Sequence, residues 1–258
     1  MQTPLVSIIM PAHNAASTIR ESIDSVLAQS YPHWELIIIN DASSDQTAQI
    51  IQSYAQKNEN LHIYTNPANQ GASETRNIGI RHAQGEYLAL LDSDDLWHPE
   101  KLIQQINFMQ ENNATLSFTA TSYLTATGER SPYILSVPKT FTLQQLLRSN
   151  LMSHSSIIIR RTQMLPYPSG FMHEDYAVWL QIIKKIGHAH GLNQPLLTYR
   201  LQAQSKSAKR IHSAIMIYNA YRHAQYNPLT AFFYTLRYAR HSIAKRNQIN
   251  QKISKQNS

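Results

Sequence analysis

Three carboxylates fall within four positions at Asp92-Ser93-Asp94-Asp95, directly after the apolar run Tyr87-Leu88-Ala89-Leu90-Leu91. Like charges at this spacing raise one another's pKa, so a chain that gathers them at the end of a buried strand needs a counter-charge. Hard carboxylate oxygens suit Mg²⁺ or Mn²⁺, with a bound phosphate completing the coordination. The alternative is a solvated acidic turn in which Asp95 caps the helix that opens at Pro99. A second acidic pair, Glu174-Asp175, opens a helical stretch after Pro168-Ser169-Gly170-Phe171-Met172-His173. Either carboxylate suits a general base, and both also favour a helix N-terminus without any chemistry.

The elements that must position these acids are legible as apolar periodicity. Leu5-Val6-Ser7-Ile8-Ile9-Met10 reads as a buried strand stopped by Pro11, and Trp34-Glu35-Leu36-Ile37-Ile38-Ile39 as a second one ending at Asn40-Asp41. Between them Ser17 to Gln29 carries Ile19, Ile23, Val26 and Leu27 on one helical stripe, with Ser17 as its cap. Asp45 caps a helix to about Gln56, Leu61 to Tyr64 is a short strand, and residues 73–83 are helical. Near-continuous apolar strands alternating with helices predict a mostly parallel sheet covered on both faces, an α/β fold. Ligands of such sheets bind outside the carboxyl ends of the strands. The polar groups Pro11-Ala12-His13-Asn14, Asn40-Asp41 and Asp92 to Asp95 gather at those ends. No G-x-G-x-x-G follows the first strand and no G-x-x-x-x-G-K-[ST] occurs, so neither the usual dinucleotide site nor a P-loop is present.

Beyond the acids, Pro99 to Asn112 reads as a helix, Thr115 to Thr125 and Tyr133 to Val137 as strands, and Leu143 to Arg148 as a short helix capped by Thr142. Ser155 to Ile159 and Pro195 to Tyr199 read as strands, Asp175 to Ile186 as a helix, and everything past Ser205 as helical with a break near Asn227-Pro228. The 258 residues contain no cysteine, which excludes disulfides, thiol nucleophiles, zinc-thiolate sites and iron–sulfur clusters. Neither a signal peptide nor an apolar run of about 18 residues is visible, so a cytoplasmic chain without a transmembrane helix is expected. The net charge of +7 is unevenly distributed. Residues 1–175 hold all 16 acids against 10 Lys/Arg, a net of −6, whereas residues 176–258 hold 13 Lys/Arg and no acid. A uniformly basic final third implies an anionic partner.

Five segments in order resemble the inverting, nucleotide-sugar-dependent glycosyltransferases of family 2, which have the GT-A fold. They are Val6 to Asn14, Ile39 to Asp45, Asn69-Gln70-Gly71-Ala72-Ser73 through Arg76-Asn77-Ile78-Gly79, Leu91 to Asp95, and His173-Glu174-Asp175-Tyr176. The resemblance covers residues 4–200 and implies a Rossmann-like mostly parallel central sheet with helices on both faces. It implies a catalytic domain over 1–205, divided into a nucleotide-sugar half (1–98) and an acceptor half (99–205), followed by a basic helical extension (206–258). By resemblance Pro11, His13, Asn14, Asp41, Arg76, Asp92, Ser93 and Asp94 bind the donor. Asp41 accepts from base or ribose, Arg76 lies near the base, Asp94 ligates Mn²⁺ or Mg²⁺, and Asp92 faces ribose or a metal-bound water. Asp175, with Glu174 as second choice, takes the proton from the acceptor hydroxyl. The donor is expected to be a UDP-sugar, and the acceptor a glycan or lipid-linked hydroxyl in surface polysaccharide or lipopolysaccharide synthesis. One departure stands out: in Tyr199-Arg200-Leu201-Gln202-Ala203-Gln204-Ser205-Lys206-Ser207, Gln202 occupies a place where the family often has histidine. Weaker metal affinity, or compensation by Lys206, Lys209, Arg210 or a nearby histidine such as His154, is the corresponding expectation.

The C-terminal third interleaves basic and aromatic residues, and Leu229, Phe232, Phe233, Leu236, Ala239 and Ile243 recur at helical spacing. Such a helix suits the interface of an anionic membrane, placing the protein peripherally on its inner face. The alternative is that this stripe packs on the catalytic domain or a partner. Nucleic acid is not an expected partner. Two rival classes remain at this point: a sugar nucleotidyltransferase, whose Gly-rich basic loop is missing, and a non-catalytic relative that binds glycan or nucleotide.

Overall fold

A computed structural model of the chain describes residues 3–125, 128–201 and 208–254. The first half alternates strand and helix: β1 (Val6–Ala12), α1 (Ile19–Leu27), β2 (Trp34–Asn40), α2 (Thr47–Ala55), β3 (Leu61–Thr65), α3 (Gly71–His82) and β4 (Tyr87–Leu90). The rest adds β5 (Leu96–Trp97), α4 (Lys101–Glu111), β6 (Leu116–Leu124), β7 (Arg130–Leu135), β8 (Thr140–Thr142), α5 (Leu143–Leu146), β9 (Ile158–Arg160), α6 (Glu174–Ile186), β10 (His188–Arg200), α7 (Ala208–His223) and α8 (Pro228–Ser254). The described strands join in one sheet in the order β3-β2-β1-β4-β9-β6-β10-β5, with β7 beside β6 and β8 beside β10.

Strands β1 to β4 are mutually parallel, as their apolar runs predict. The second half is mixed: β9 runs antiparallel to β4 and β6, and β5 antiparallel to β10. The sheet faces follow from the two-residue period of a strand. Ile9, Ile37 and Ile39 point into one core, shared with Trp179, Ile182 and Ile183 of α6, Ile217, Ala220 and Tyr221 of α7, and Ala231 of α8. Ile8, Met10, Leu36 and Ile38 point into the other, shared with Ile19 and Ile23 of α1, Ile50 and Ile51 of α2, and Leu102 and Ile106 of α4. Two helices thought of as an extension of the chain, α7 and α8, therefore supply part of the main core.

Several boundaries differ from expectation for identifiable reasons. Pro11 does not stop β1, which continues to Ala12. Leu91 donates to Ile9 O at 3.1 Å and β4 ends there, so the missing N–H of Pro11, two residues on, faces a side where the ladder has already finished. Helix α1 begins at Ile19 behind Thr18, not behind a Ser17 cap, and no side chain caps it. The Ser-rich stretch expected as a strand splits into a 3₁₀ turn over His154–Ser156 and the short β9. β10 starts seven residues before the expected Pro195, at His188, and pairs with β6 in parallel with register shifts on either side of Pro195. Thr142 does cap α5, in a reciprocal box with Gln145.

α3 reaches the sheet closely enough to deliver residues to its carboxyl edge. A Cβ on Gly79 would lie 2.6 Å from Ile39 Cδ1 and 2.7 Å from Ile9 Cγ2. Gly79→Ala is expected to push α3 off the sheet and to cost about 1–3 kcal/mol, as overpacking does. Denaturant unfolding measures it, and an unchanged midpoint would show that the two isoleucines yield without cost.

Candidate active site

The carboxyl ends of β1, β2 and β4 open into a cleft of about 610 Å³ lined by Pro11, His13, Asn14, Asp41, Arg76, Asp92, Ser93 and Asp94, with Thr75 and Arg200 among its further walls. That volume suits one small-molecule ligand. Two loops lock together at its rim. Asn14 and Ala42 take left-handed backbone at φ 50° and 51°, and Asn14 N–H donates to Ser43 Oγ at 3.1 Å while its Oδ1 accepts from Ser44 N–H at 2.9 Å. His13 Nδ1 donates to the carbonyl of Asp41 at 2.7 Å. The Asp41 carboxylate closes the back of the cleft: Oδ1 accepts from Asn66 Nδ2 and Gln70 N–H, both at 2.8 Å, and Oδ2 from Gly71 N–H at 2.9 Å. Burial pushes this carboxyl up, but those donors outweigh it and hold Asp41 below the ordinary value. Asp45 accepts from Thr47 N–H at 2.9 Å and from Ala16 N–H at 3.0 Å, so it ties the start of α2 to the first loop; it is not the expected cap, because the N-cap position is Gln46, one residue on, and no side chain caps the helix.

The acidic turn is built around a serine the sequence did not single out. Ser155 Oγ accepts from Asp92 N–H at 3.0 Å and donates to Asp95 Oδ2 at 2.6 Å, while Trp97 Nε1 donates to the Ser155 carbonyl at 2.8 Å. Asp95 does not cap α4, which starts at Lys101. It is buried, and its Oδ1 accepts from Arg200 N–H at 3.2 Å. Burial first, then the charge of Asp92, raises the Asp95 carboxyl well above the ordinary range. Trp97 packs in the core and does not wall the cleft. Arg200 lines the cleft, donating through Nε to the Asp94 carbonyl at 3.1 Å and through its guanidinium to Glu21 at 2.8 Å. The sequence placed Arg200 in the segment around Gln202 but gave it no role of its own.

Arg76 ties the two acidic motifs together. Its guanidinium pairs with Asp92 Oδ1 at 2.8 Å and with Glu174 Oε1 at 3.4 Å, and lies 5.5 Å from the centroid of the Tyr167 ring. Its own-helix neighbour Glu74 pairs instead with Arg81. The side chain expected near a nucleotide base is thus engaged in the floor of the site. Burial pushes the Asp92 carboxyl up, and Arg76 more than reverses this, leaving it below its ordinary value. His154 lies with Nδ1 at 3.6 Å from the same carboxylate, and its Nε2 meets the Tyr167 hydroxyl at 2.8 Å. Burial and then Arg76 push His154 down to about 3, so it is neutral beside Asp92.

Across the cleft, α6 starts at Glu174 and Asp175. Because Arg76 faces Glu174, Asp175 is the acid of the pair that forms no ion pair among the described residues. Burial, and then the neighbouring Glu174 charge, raise its carboxyl above the ordinary value of 3.8. The next residue, Tyr176, is buried and donates to the Leu146 carbonyl at 2.9 Å, which fixes the helix start. A second hollow of about 320 Å³, lined by Ser73, Glu74, Asn77, Tyr167, Phe171 and Glu174 among others, shares Gly71 and Ala72 with the first.

Among the described residues no three His, Cys, Asp or Glu side chains converge as a metal group. The residues present still fit a hard divalent cation, because such ions are commonly held by one or two carboxylates and the oxygens of a bound phosphate. Asp94 and Asp92 both line the cleft, with one Asp92 oxygen committed to Arg76. Gln202 and Lys206 lie outside the described residues, so the expectation attached to them finds no answer there.

A parallel half-sheet with an acidic turn at its edge, facing a carboxylate at a helix start, is the arrangement expected of the GT-A fold. Solved structures share the fold: a Staphylococcus aureus TarS fragment, residues 1–349, in complex with UDP superposes with a TM-score of 0.66 at 20% identity, covering 90% of this chain and 70% of that one. The mannosyltransferase PcManGT of Pyrobaculum calidifontis, in complex with GDP-Man and Mn²⁺, gives a TM-score of 0.69 at 18% identity over 93% and 70%. In sequence the chain is 35% identical to TuaG of Bacillus subtilis, a glycosyltransferase assigned to teichuronic acid biosynthesis, over 94% of this chain and 98% of that one. It is 33% identical to WfgD of Escherichia coli, a UDP-Glc:alpha-D-GlcNAc-diphosphoundecaprenol beta-1,3-glucosyltransferase, over 92% and 93%. The family model for Glycosyl transferase family 2 matches residues 7–165. The chain belongs to that family and is a glycosyltransferase.

Removing Arg76, itself buried, would leave two half-buried carboxylates without their shared cation. Arg76→Met is expected to cost about 3–5 kcal/mol in denaturant unfolding, the usual penalty for stripping one partner from a buried ion pair. A loss under about 1 kcal/mol would mean that solvent already screens the cluster. A second expectation concerns pH. A general base acts ionised, so with Asp175 in its expected role the acidic limb in kcat/KM should lie above 3.8 and move to lower pH in Glu174→Gln, which removes the adjacent charge. The folded state also holds this proton more tightly than the unfolded chain, so stability falls as pH rises through the raised pKa. Asp175→Asn should therefore be inactive yet more heat-stable at neutral pH; a Tm below wild type would contradict the assigned environment.

Proposed function

We propose that the enzyme transfers one sugar, with inversion, from a UDP-sugar to a hydroxyl of a lipid-linked glycan during assembly of a surface polysaccharide or lipopolysaccharide. The observation that supports this reading is the joining of the acidic turn to the Glu174-Asp175 helix start through Arg76, an arrangement suited to a donor cleft and a base on either side of one bond. The nucleoside diphosphate occupies the 610 Å³ cleft against Pro11, His13, Asn14, Asp41, Ser93 and Arg76. The acceptor enters the adjoining hollow beside Tyr167 and Glu174. Asp175 takes the acceptor proton as that oxygen bonds to the anomeric carbon and the sugar–phosphate bond breaks, releasing the diphosphate. A single base with no second carboxylate nucleophile leads to inversion. Asp94 and Asp92 would hold Mn²⁺ or Mg²⁺, whose charge offsets the negative charge that develops on the departing diphosphate.

The UDP and lipid-linked parts of the proposal are drawn from relatives: WfgD by its name uses UDP-Glc and a diphosphoundecaprenol acceptor, and TarS binds UDP. In this scheme residues 1–98 form the donor half and 99–205 the acceptor half. The basic segment 206–258 rests on the anionic inner face of the membrane where such an acceptor resides. No described helix is long and apolar enough to cross a membrane. Thermal-shift assays with UDP, GDP, CDP and dTDP, each with and without Mn²⁺, test the donor assignment. UDP with Mn²⁺ should raise Tm most, and Asp94→Ala should remove the metal-dependent part. Absence of a shift with every diphosphate would overturn it.

A further inference from the structure

Helix α8 has two apolar stripes, and only one of them is used by the fold. Its inner stripe is Ala231, Tyr234, Thr235 and Tyr238. Ala231 and Thr235 are buried, Tyr234 stacks obliquely on Tyr221 with centroids 5.6 Å apart, and Tyr238 does so on Tyr176 at 5.1 Å. The outer stripe has the same i, i+3, i+4, i+7 spacing and is composed of larger side chains: Leu229, Phe232, Phe233 and Leu236, exposed by 73, 53, 65 and 49%. The stripe that sequence periodicity left between membrane and domain packing thus faces away from the domain. Ile211 and Ile215 of α7 are exposed as well. Exposed basic side chains accompany these residues, namely Arg222, Arg237 and Arg240, while no acid occurs after Asp175.

Scattered apolar residues on a surface need no explanation, but a contiguous row of this size on one helix marks an interaction face. The charge pattern chooses the occupant. A second copy would bring the same acid-free, arginine-rich face and be repelled. An amphipathic helix with aromatic and aliphatic residues flanked by arginines is the form that lies in a lipid interface, the apolar groups among the acyl chains and the cations at anionic headgroups. We propose that Leu229, Phe232, Phe233 and Leu236 insert into an anionic bilayer, with Arg237 and Arg240 at its headgroups. This names the inserting residues within the membrane reading above and depends on that reading only for the identity of the acceptor. One consequence is geometric: the opposite stripe of the same helix holds Tyr176 through Tyr238, and Tyr176 follows Asp175. The seat on the lipid and the start of the catalytic helix are therefore joined by one layer of aromatic rings.

The test uses the full chain and vesicles of phosphatidylcholine alone or of phosphatidylcholine mixed with phosphatidylglycerol, the second carrying the anionic headgroups that attract Lys/Arg. Cosedimentation should occur with the anionic vesicles and weaken with salt. Phe232→Ser/Phe233→Ser should reduce partitioning at least tenfold, and Arg237→Gln/Arg240→Gln should remove much of its salt sensitivity. As a reporter that leaves the surface apolar, Phe233→Trp should shift its emission to the blue on anionic vesicles. Unchanged partitioning of the double serine variant, or no blue shift, overturns the proposal. So does a concentration-dependent dimer in sedimentation velocity that the serine variant dissolves, because the face then belongs to a second copy. The UDP thermal shift is read on the same variants: its absence in wild type with vesicle binding intact would sink the donor assignment and leave the lipid face standing.

Discussion

The site depends on one buried cation. Arg76 comes from α3, Asp92 from the turn after β4, and Glu174 from the first turn of α6, so a single guanidinium holds three elements in register. A lone buried charge is prohibitively costly and two facing carboxylates nearly as much, whereas the three together are tolerable. The pair's value lies less in net stability than in what it forbids: neither acidic motif can shift without uncovering a charge. Its fork geometry allows two partners at once, which a lysine ammonium would not hold in fixed directions.

From that arrangement the acids acquire different characters although their types are nearly the same. Asp41 and Asp92 are kept ionised, one by backbone and amide donors and the other by Arg76. Asp95 and Asp175 are pushed the other way by burial and neighbouring negative charge. Pairs of carboxylates driven apart in pKa by their surroundings are how one site assigns separate acid–base roles. Here Asp95 uses its proton affinity to sit within the protein, hydrogen-bonded to Ser155, whereas Asp175 stands in the first turn of α6, next to Glu174, which lines the smaller hollow.

The sequence was informative wherever information is local. Apolar runs of β1, β2 and β4 and the polar residues at their ends located the cleft, because strand period and strand termination are short-range properties. It was silent wherever partners are distant. Glu174 lies 98 residues from Arg76, and Ser155 lies 60 from Asp95, so the ion-pair tether and the serine bridge have no local signature. Asp95 was misjudged for the same reason: an aspartate before a helix resembles a cap unless its burial is known. The mixed half of the sheet was hidden because β9 is three residues long and owes its existence to β4 and β6 on either side. Helical spacing found the Leu229–Leu236 stripe but could not tell which side of α8 met the core, since both sides are apolar.

Tyr176 and Tyr221 meet hydroxyl to hydroxyl at 2.8 Å, and Tyr221 also donates to the Leu147 carbonyl at 3.0 Å. Both phenols are buried, and α7 and α8 roof them. A chain ending before these helices would lose the Tyr221 phenol, which α7 itself carries, and open that of Tyr176 and the underside of α6 to water. The basic third is therefore an organ of the fold rather than an appendage. Any lineage that dispensed with it would have had to rebuild the wall behind the helix that carries the carboxylates.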